Sequence, residues 1–261
     1  MGLIKVSACI VTYNNADKIC RTIKSILAVT KGVDFQLYVS DNDSSDNTVE
    51  LVKREFPQVI VLENKTNKGF GHGNNAVISK LNSKYHFIIN PDIFLKENAV
   101  LELVKFLENN SDIVMAVPKF VFENGEEQFT PKLQPTLRYM LGGRLSKYGL
   151  VFKKWRDEYT LKNVEIKKPI DIGFCSGCFI AVRTDVFKKI KGFDERYFLY
   201  SEDADITRMA QKYGRTVYNP SVSVIHLWER AYKKSGRHFR IQIASMFKYF
   251  WKWRFNGRYV K

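Results

Sequence analysis

Through the first 118 residues, apolar runs of strand length alternate with segments of helical periodicity. "KVSACIVTY", Lys5 to Tyr13, is a near-continuous apolar run and predicts a buried strand. "NADKICRTIKSILAV" then carries Ile19, Ile23, Ile26 and Leu27 at helical spacing. "DFQLYVSDN" predicts a second strand ending on Asp41-Asn42, and "SDNTVELVKREF" a helix capped by Ser45 with an acidic first turn. "QVIVLEN" predicts a third strand, "KGFGHGNNAVISKL" a glycine-rich turn entering a helix, and "YHFIIN" a fourth strand. "KENAVLELVKFLEN" and "DIVMAVP" follow as helix and fifth strand. Strict alternation of this kind predicts an α/β fold with a mostly parallel sheet flanked by helices.

From Lys119 to Pro169 the pattern weakens into loops and short helices. "IDIGFCSGCFIAVR" then predicts a strand, "TDVFKKI" a short helix, "GFDERYFLY" an aromatic loop and "SEDADITRMAQKYG" a helix. "TVYNPSVSVIHLW" predicts one or two strands, and the tail "GRHFRIQIASMFKYFWKWRF" a basic amphipathic helix.

A chain of 261 residues buries one sizeable core, with room for an appendage. No run approaches the roughly 18 apolar residues of a membrane span, and "MGLIKVSACIVTYNN" makes a poor signal peptide. It also lacks the Ser/Thr of a myristoylation site. The expected location is the cytoplasm. Cys9, Cys20, Cys175 and Cys178 do not form a disulfide framework. The single CxxC, Cys175 to Cys178, leaves zinc binding, redox chemistry or simple packing open.

The net charge of +15 is concentrated. Arg230 to Lys261 holds ten Lys/Arg and no Asp/Glu, and a second basic stretch from Lys132 to Lys168 is interleaved with Tyr139, Tyr148, Phe152, Trp155 and Tyr159. Such clustering points to an anionic partner, whether nucleic acid, lipid head groups or a phosphorylated substrate.

Candidate chemistry sits where predicted strands end, because a parallel sheet binds ligands beyond its carboxyl edge. Thr12-Tyr13-Asn14-Asn15, Asp41-Asn42 and Asn90-Pro91-Asp92 all fall there, although ordinary turns also favour Asn and Asp. Gly69, Gly71 and Gly73 resemble a phosphate-cradling turn but match neither common nucleotide fingerprint. In the helix after Ser201, Ile206, Met209, Ala210 and Tyr213 share a buried face. Glu202 and Asp203 fall within roughly 70° of its centre and Asp205 further away. Two inward carboxylates beside the apolar "RYFLY" suit a base with a raised pKa; solvated residues answering the helix dipole are the alternative.

These pieces together resemble the inverting family 2 glycosyltransferases of the GT-A fold, in particular the bacterial rhamnosyltransferase-like subgroup. The likeness covers about residues 5–230 and rests on "SACIVTYNN", "VSDNDSSDNT", "NKGFGHGNNAV", "FIINPDI" and "GFDERYFLYSEDADITRMAQKYG", in that order. "FIINPDI" stands in the place of the family's DxD motif but lacks its first aspartate.

The resemblance implies a donor-binding set of Thr12, Tyr13, Asn14, Asp41, Asn42, Gly69, Asn75, Asn90 and Asp92. Asp41 would accept the pyrimidine ring N–H, and Asp92 would hold Mn2+ or Mg2+ against the donor diphosphate, with His226 nearby. Asp203 would be the general base, and Glu202 would orient base or acceptor. The implied partners are a dTDP- or UDP-sugar donor and a polyprenyl-diphosphate-linked saccharide acceptor. The implied division is a transferase domain over 1–230, with 1–118 binding the nucleotide sugar and 119–230 the acceptor, followed by a basic tail over 231–261.

The tail places Ile243, Phe247, Phe250 and Trp251 on one side, with Trp253 and Phe255 adding bulk and Lys248, Lys252, Arg254, Arg258 and Lys261 adding charge. It suits a helix lying on the anionic inner face of the plasma membrane. Packing on the body, or on a second copy in a homodimer, is the alternative. A basic protein of transferase fold that binds nucleic acid or membrane without activity is the competing function. Three acids, Asp41, Asp92 and Asp203, around one cleft argue against nucleic acid.

Overall fold

The computed structural model describes residues 2–128, 131–227 and 236–254. Expectations for Trp228, Arg230, Phe255, Arg258 and Lys261 lie outside them.

The alternation of the first half folds as its pattern dictates. Strands β1 (Lys5–Thr12), β2 (Asp34–Asp41), β3 (Ile60–Glu63) and β4 (Tyr85–Ile89) lie in the order β3-β2-β1-β4, all parallel. Helices α1 (Ile19–Val29), α2 (Thr48–Glu55) and α3 (Phe70–Asn75) provide the crossovers that parallel neighbours require. β1 is central and covered on both faces, so Ala8, Cys9 and Ile10 are fully buried. Ile19, Ile23 and Ile26 of α1 pack into the same core.

Beyond β4 the sheet becomes mixed. β5 (Ile93–Phe94) and α4 (Ala99–Asn109) lead to β6 (Ile113–Val121) and β7 (Glu127–Gln128). The helices α5 (Leu137–Leu145) and α6 (Leu150–Tyr159) occupy the weakly patterned region. The expected strand "IDIGFCSGCFIAVR" divides into β8 (Ile170–Asp171) and β9 (Phe179–Arg183). β9 inserts antiparallel between β4 and β6, so the sheet is mixed beyond its first four strands, although its longer pairings are parallel. After α7 (Thr184–Lys189) and α8 (Glu202–Ala210), β10 (Arg215–His226) is one strand, irregular at Asn219–Ser223, and runs parallel to β6. Its end turns back antiparallel to β5, setting His226 opposite Ile93.

Local chemistry changes some expected boundaries. Asn47, not Ser45, precedes α2, because the Ser45 backbone and hydroxyl are bonded to Asn14. Ser201 does precede α8 but makes no side-chain cap; Tyr200 and Ser201 both adopt left-handed backbone, with φ of 69° and 66°. Tyr213 lies past the end of α8 and is half exposed, whereas Asp205, expected to point away, is 1% exposed.

The cover over Asp205 is α9 (Gly236–Trp253). Its buried stripe is Ser245, Tyr249 and Trp253, one turn apart; of the apolar side expected to face a membrane, Phe247 and Trp251 are exposed and Ile243 and Phe250 half-buried. The Trp253 indole N–H donates to Asp205 at 2.7 Å, and Lys252 bonds Asp205 at 2.7 Å and Asp194 at 2.9 Å. Ser245 donates to the Leu199 carbonyl and Lys248 to that of Arg196. Buried acceptors on the body therefore select the polar-tipped stripe, while Phe247 and Trp251 stay 67% and 70% exposed. No helix among the described residues is long and apolar enough to cross a membrane.

Candidate active site

The ends of β1 and β2 carry a network of polar turns. Thr12 and the Tyr13 N–H both donate to Asn15 Oδ1, and Asn14, with φ of 52°, receives the Ser45 N–H at 2.8 Å. Asp41 is buried and receives the Ser44 N–H and hydroxyl. Asn42 donates to the Gly69 carbonyl at 3.0 Å and accepts from Asn64. Gly69 is irreplaceable on steric grounds: its φ is 102°, and a Cβ there would stand 2.0 Å from the Phe198 carbonyl oxygen.

A cleft of about 500 Å3 lies between these turns and the "RYFLY" loop, lined by Thr12, Tyr13, Asn42 and Gly69 with Phe70, Phe198 and Leu199. Asn75 does not line it. Both ends of its amide are taken by Phe193 and Glu195, so it fastens the following loop to α3. Asn14 and Asp41 buttress the cleft from behind, through Ser44 and Ser45.

Asn90 and Asp92 stand where β4 gives way to β5. The Asn90 N–H donates to the Cys178 carbonyl, which ties this turn to the loop before β9. Asp92 Oδ2 lies 3.3 Å from His226 Nε2. Gln128, from β7, fixes the imidazole. Its Nε2 must donate to the His226 carbonyl at 2.7 Å, so its Oε1 faces His226 Nδ1 at 2.9 Å and requires a proton there. His226 Nε2 is thereby left for Asp92. Burial opposes a charge on this ring, but the Asp92 carboxylate and the Cys178 sulfur outweigh it and raise its pKa to about 10.

The other carboxylate oxygen, Asp92 Oδ1, is buried and has no hydrogen-bond partner among the described residues. An orphaned carboxylate oxygen beside an imidazole nitrogen, once that nitrogen gives up its proton, is a donor pair that would suit a divalent cation. Among the described residues no group of three or more His, Cys, Asp or Glu could hold a metal ion. All four cysteines are free, and Cys9 and Cys175 are buried with thiol pKa values pushed up by burial.

A second chamber, of about 560 Å3, opens on the other side of the loop. Glu202 and Asp203 lie on its wall, with Tyr139, Arg144, Arg156 and Tyr159 from α5 and α6, Phe174, and Met246, Tyr249 and Phe250 from α9. Burial raises the pKa of both carboxyls. Glu202 is raised further because the Asp203 charge adds to its burial, whereas Lys132 and nearby N–H groups oppose the rise at Asp203. The pair therefore holds its proton preferentially on Glu202 and its charge on Asp203.

Lys132 reaches this chamber because residues 132–134 run against 173–174, where the Gly173 N–H donates to the Lys132 carbonyl. Its ammonium sits 4.4 Å over the Phe174 ring. Within the basic stretch it looks like any other lysine; only the bridge to Phe174 singles it out. Gln128 and the aromatic walls from α5 and α6 likewise escape a reading by sequence.

The two cavities meet at Gly177. A Cβ there would lie 3.4 Å from Phe70, which lines the first cavity, and 3.6 Å from Asp203, which lines the second. The Gly177 N–H points to Asp203 at 3.5 Å.

The family model described as Glycosyl transferase family 2 matches residues 7–191. The chain is 26% identical over 231 residues to the N-acetylglucosaminyl-diphospho-decaprenol L-rhamnosyltransferase of Mycobacterium tuberculosis, a span covering 83% of this chain and 74% of that protein. It is 26% identical over 191 residues to the rhamnosyltransferase WbbL of Escherichia coli K12, covering 69% of each. Among solved structures, the mannosyltransferase PcManGT of Pyrobaculum calidifontis, in complex with GDP-Man and Mn2+, superposes with a TM-score of 0.66 at 16% identity, over 99% of this chain and 66% of that one. GalNAc-T7 with UDP, GalNAc and Mn2+ gives 0.68 at 14% identity, over 100% of this chain and 52% of that one. At such identities the likeness speaks for the GT-A type of fold. With the family model spanning well over half of its length, the chain belongs to glycosyl transferase family 2.

Proposed function

We propose that this chain transfers a sugar, with inversion, from a nucleoside-diphosphate donor to a lipid-linked saccharide during assembly of a bacterial cell-surface glycan. The favoured donor is dTDP-rhamnose, because two relatives are named as rhamnosyltransferases; a UDP-hexose is the alternative. A lipid-linked acceptor is suggested by the diphospho-decaprenol in the first relative's name. Such an acceptor would make the inner, anionic face of the plasma membrane the place of work. Residues 1–118 then serve mainly the donor and 119–230 mainly the acceptor.

The observation that carries the proposal is the junction at Gly177, where the polar cleft meets the chamber holding Asp203. The donor lies in the cleft with its nucleoside toward Thr12 and Asn42, which Asp41 backs through Ser44, and its diphosphate toward Asn90 and Asp92. Asp203, the more acidic of the pair, takes the proton from the acceptor hydroxyl as that oxygen attacks the anomeric carbon. Glu202, protonated, donates a hydrogen bond that orients the acceptor. The anomeric C–O bond to the diphosphate breaks as the new glycosidic bond forms on the opposite face, so one displacement inverts the centre. A divalent cation, Mn2+ or Mg2+, when held by Asp92 and His226, supplies positive charge for the departing diphosphate.

The test is a panel of dTDP- and UDP-sugars offered to the purified chain with Mn2+ or Mg2+, read as release of free nucleoside diphosphate. Release from one donor class well above the others is expected. Release from none of them would overturn the proposal.

A further inference from the structure

The turn that joins α5 to α6 is the most exposed apolar feature of the described residues. Tyr148 and Leu150 are 80% and 84% exposed, and Val151 beside them is 58% exposed. They are not a loose tip. The two helices close tightly at Gly142, where a Cβ would stand 2.7 Å from that of Trp155, and Tyr139 stacks on Tyr159 at 5.2 Å. A closely packed hairpin thus holds three apolar side chains that nothing among the described residues covers.

Its charge is one-sided. From Leu137 to Tyr159 there are six Lys/Arg against two acids, Asp157 and Glu158, both at the end of α6 away from the tip. The ion pairs of the hairpin, Arg138 with Glu158 and Arg156 with Asp157, involve neither Lys147, Lys153 nor Lys154. Those three lysines flank the apolar tip, are exposed, and have no ion pair among the described residues. The tail helix contrasts with this: Lys248, Lys252, Tyr249 and Trp253 of α9 are committed to the body of the protein. The hairpin and α9 meet where Arg144 stacks 4.8 Å over Phe239 and bonds Gln242, and between them they wall the chamber that holds Asp203.

We propose that the α5–α6 turn is a membrane-docking element: Tyr148, Leu150 and Val151 enter the interface of an anionic lipid surface while Lys147, Lys153 and Lys154 engage its head groups. An aromatic and aliphatic tip ringed by lysines has the composition that partitions to head-group depth rather than across the bilayer. Charge complementarity selects anionic lipid over a neutral surface. The docking brings the chamber to the lipid, a purpose that rests on the lipid-linked acceptor proposed above; the docking itself is measured without either substrate.

The experiment is co-sedimentation of the full chain with vesicles of phosphatidylcholine alone or with phosphatidylglycerol added. Two variants are compared, Tyr148→Ser with Leu150→Ser, and Lys147→Glu with Lys153→Glu and Lys154→Glu. The full chain is expected to sediment with the anionic vesicles only. Each lysine near the surface is worth about fivefold in partitioning, so the triple variant should lose at least about 100-fold, the glutamates adding repulsion to the lost attraction. The apolar variant should lose upward of about 100-fold, at the usual scale of burying two such side chains. Both should release nucleoside diphosphate from donor in the absence of vesicles as the unaltered chain does, since all five residues are exposed. A Tyr148→Trp chain should show fluorescence quenched by brominated lipid. Variants that sediment undiminished, or a Trp at 148 that is not quenched, would overturn the proposal. So would variants that change the oligomeric state of the chain in solution, which would make the tip a contact between copies. A chain that docks but releases no diphosphate from any donor would contradict the transferase mechanism and leave the docking standing.

Discussion

Asp92 and His226 meet at 3.3 Å because β10 ends antiparallel to β5, setting His226 directly beside the residue that follows Asp92. A separate pairing, of β7 with β6, brings Gln128 onto the imidazole nitrogen that faces away from Asp92. One carboxylate oxygen and one ring nitrogen are thus fixed on a shared spot by three strands that are distant in sequence.

Gln128→Leu removes the acceptor that fixes the His226 tautomer while roughly keeping the volume. Partners of this kind usually tune ligand affinity about 10–100-fold. The expected outcome is a loss of that order in Mn2+-dependent donor affinity with little change in metal-free binding, measured by calorimetric titration with and without EDTA. Equal losses in both conditions would mean that Gln128 only supports the fold.

Lys132 faces the chamber and opposes the rise in the Asp203 pKa. A base must be ionised to act, so activity falls as pH drops through its folded pKa. That pKa is raised by burial, and activity should fail at a higher pH than for an ordinary aspartate. Lys132→Met removes the opposing charge, so the acid limb of the pH–rate profile should move further up. A profile that stays in place would remove Lys132 from the chemistry.

Glu202 bears on stability as well as on placing the acceptor. Its folded pKa is raised above the unfolded value, so its contribution is favourable at low pH and is lost as pH rises through the folded pKa. Glu202→Gln should therefore stabilise the protein more at pH 8 than at pH 5, read as the shift in urea midpoint. A shift independent of pH would show that Glu202 is ionised in the folded state.

α9 is held by a buried acid. Asp205→Ala strands the Trp253 N–H and half of the Lys252 contact, and removing one partner of a buried pair costs about 3–5 kcal/mol. Lys252 keeps Asp194, so the lower end of that range is expected, as a lowered midpoint in urea with a single transition. A variant as stable as the parent would mean that α9 is not docked in solution.

Much of this arrangement is legible along the chain. The strands β1 to β4 and their helices follow from apolar runs and periodicity, and Asp41, Asp92 and Asp203 from carboxylates placed where apolar elements end. What is not legible depends on pairings distant in sequence. Nothing local in "EEQFT" marks Gln128 for His226, and nothing around Lys132 marks it for Asp203. Asp205 is misplaced by a helical wheel because the wheel knows the face toward the sheet but not the helix α9 that covers the opposite side. In the same way, the antiparallel entry of β9 leaves no trace in a strand whose two faces are both apolar.

The central claim is that donor binding and proton removal are divided between Asp92, just past β4, and Asp203, in the first turn of α8. Its most direct test is calorimetric titration of the donor selected by the panel, with Mn2+ present, into the Asp92→Ala and Asp203→Asn chains. Diphosphate release in the presence of an accepted saccharide is followed on the same preparations. Asp203→Asn should bind donor as the parent does and turn over about 10²–10⁴-fold more slowly, the scale of general-base catalysis. Asp92→Ala should lose most of its metal-dependent affinity. An Asp92→Ala chain that binds donor and metal like the parent, or an Asp203→Asn chain with undiminished turnover, would contradict the account.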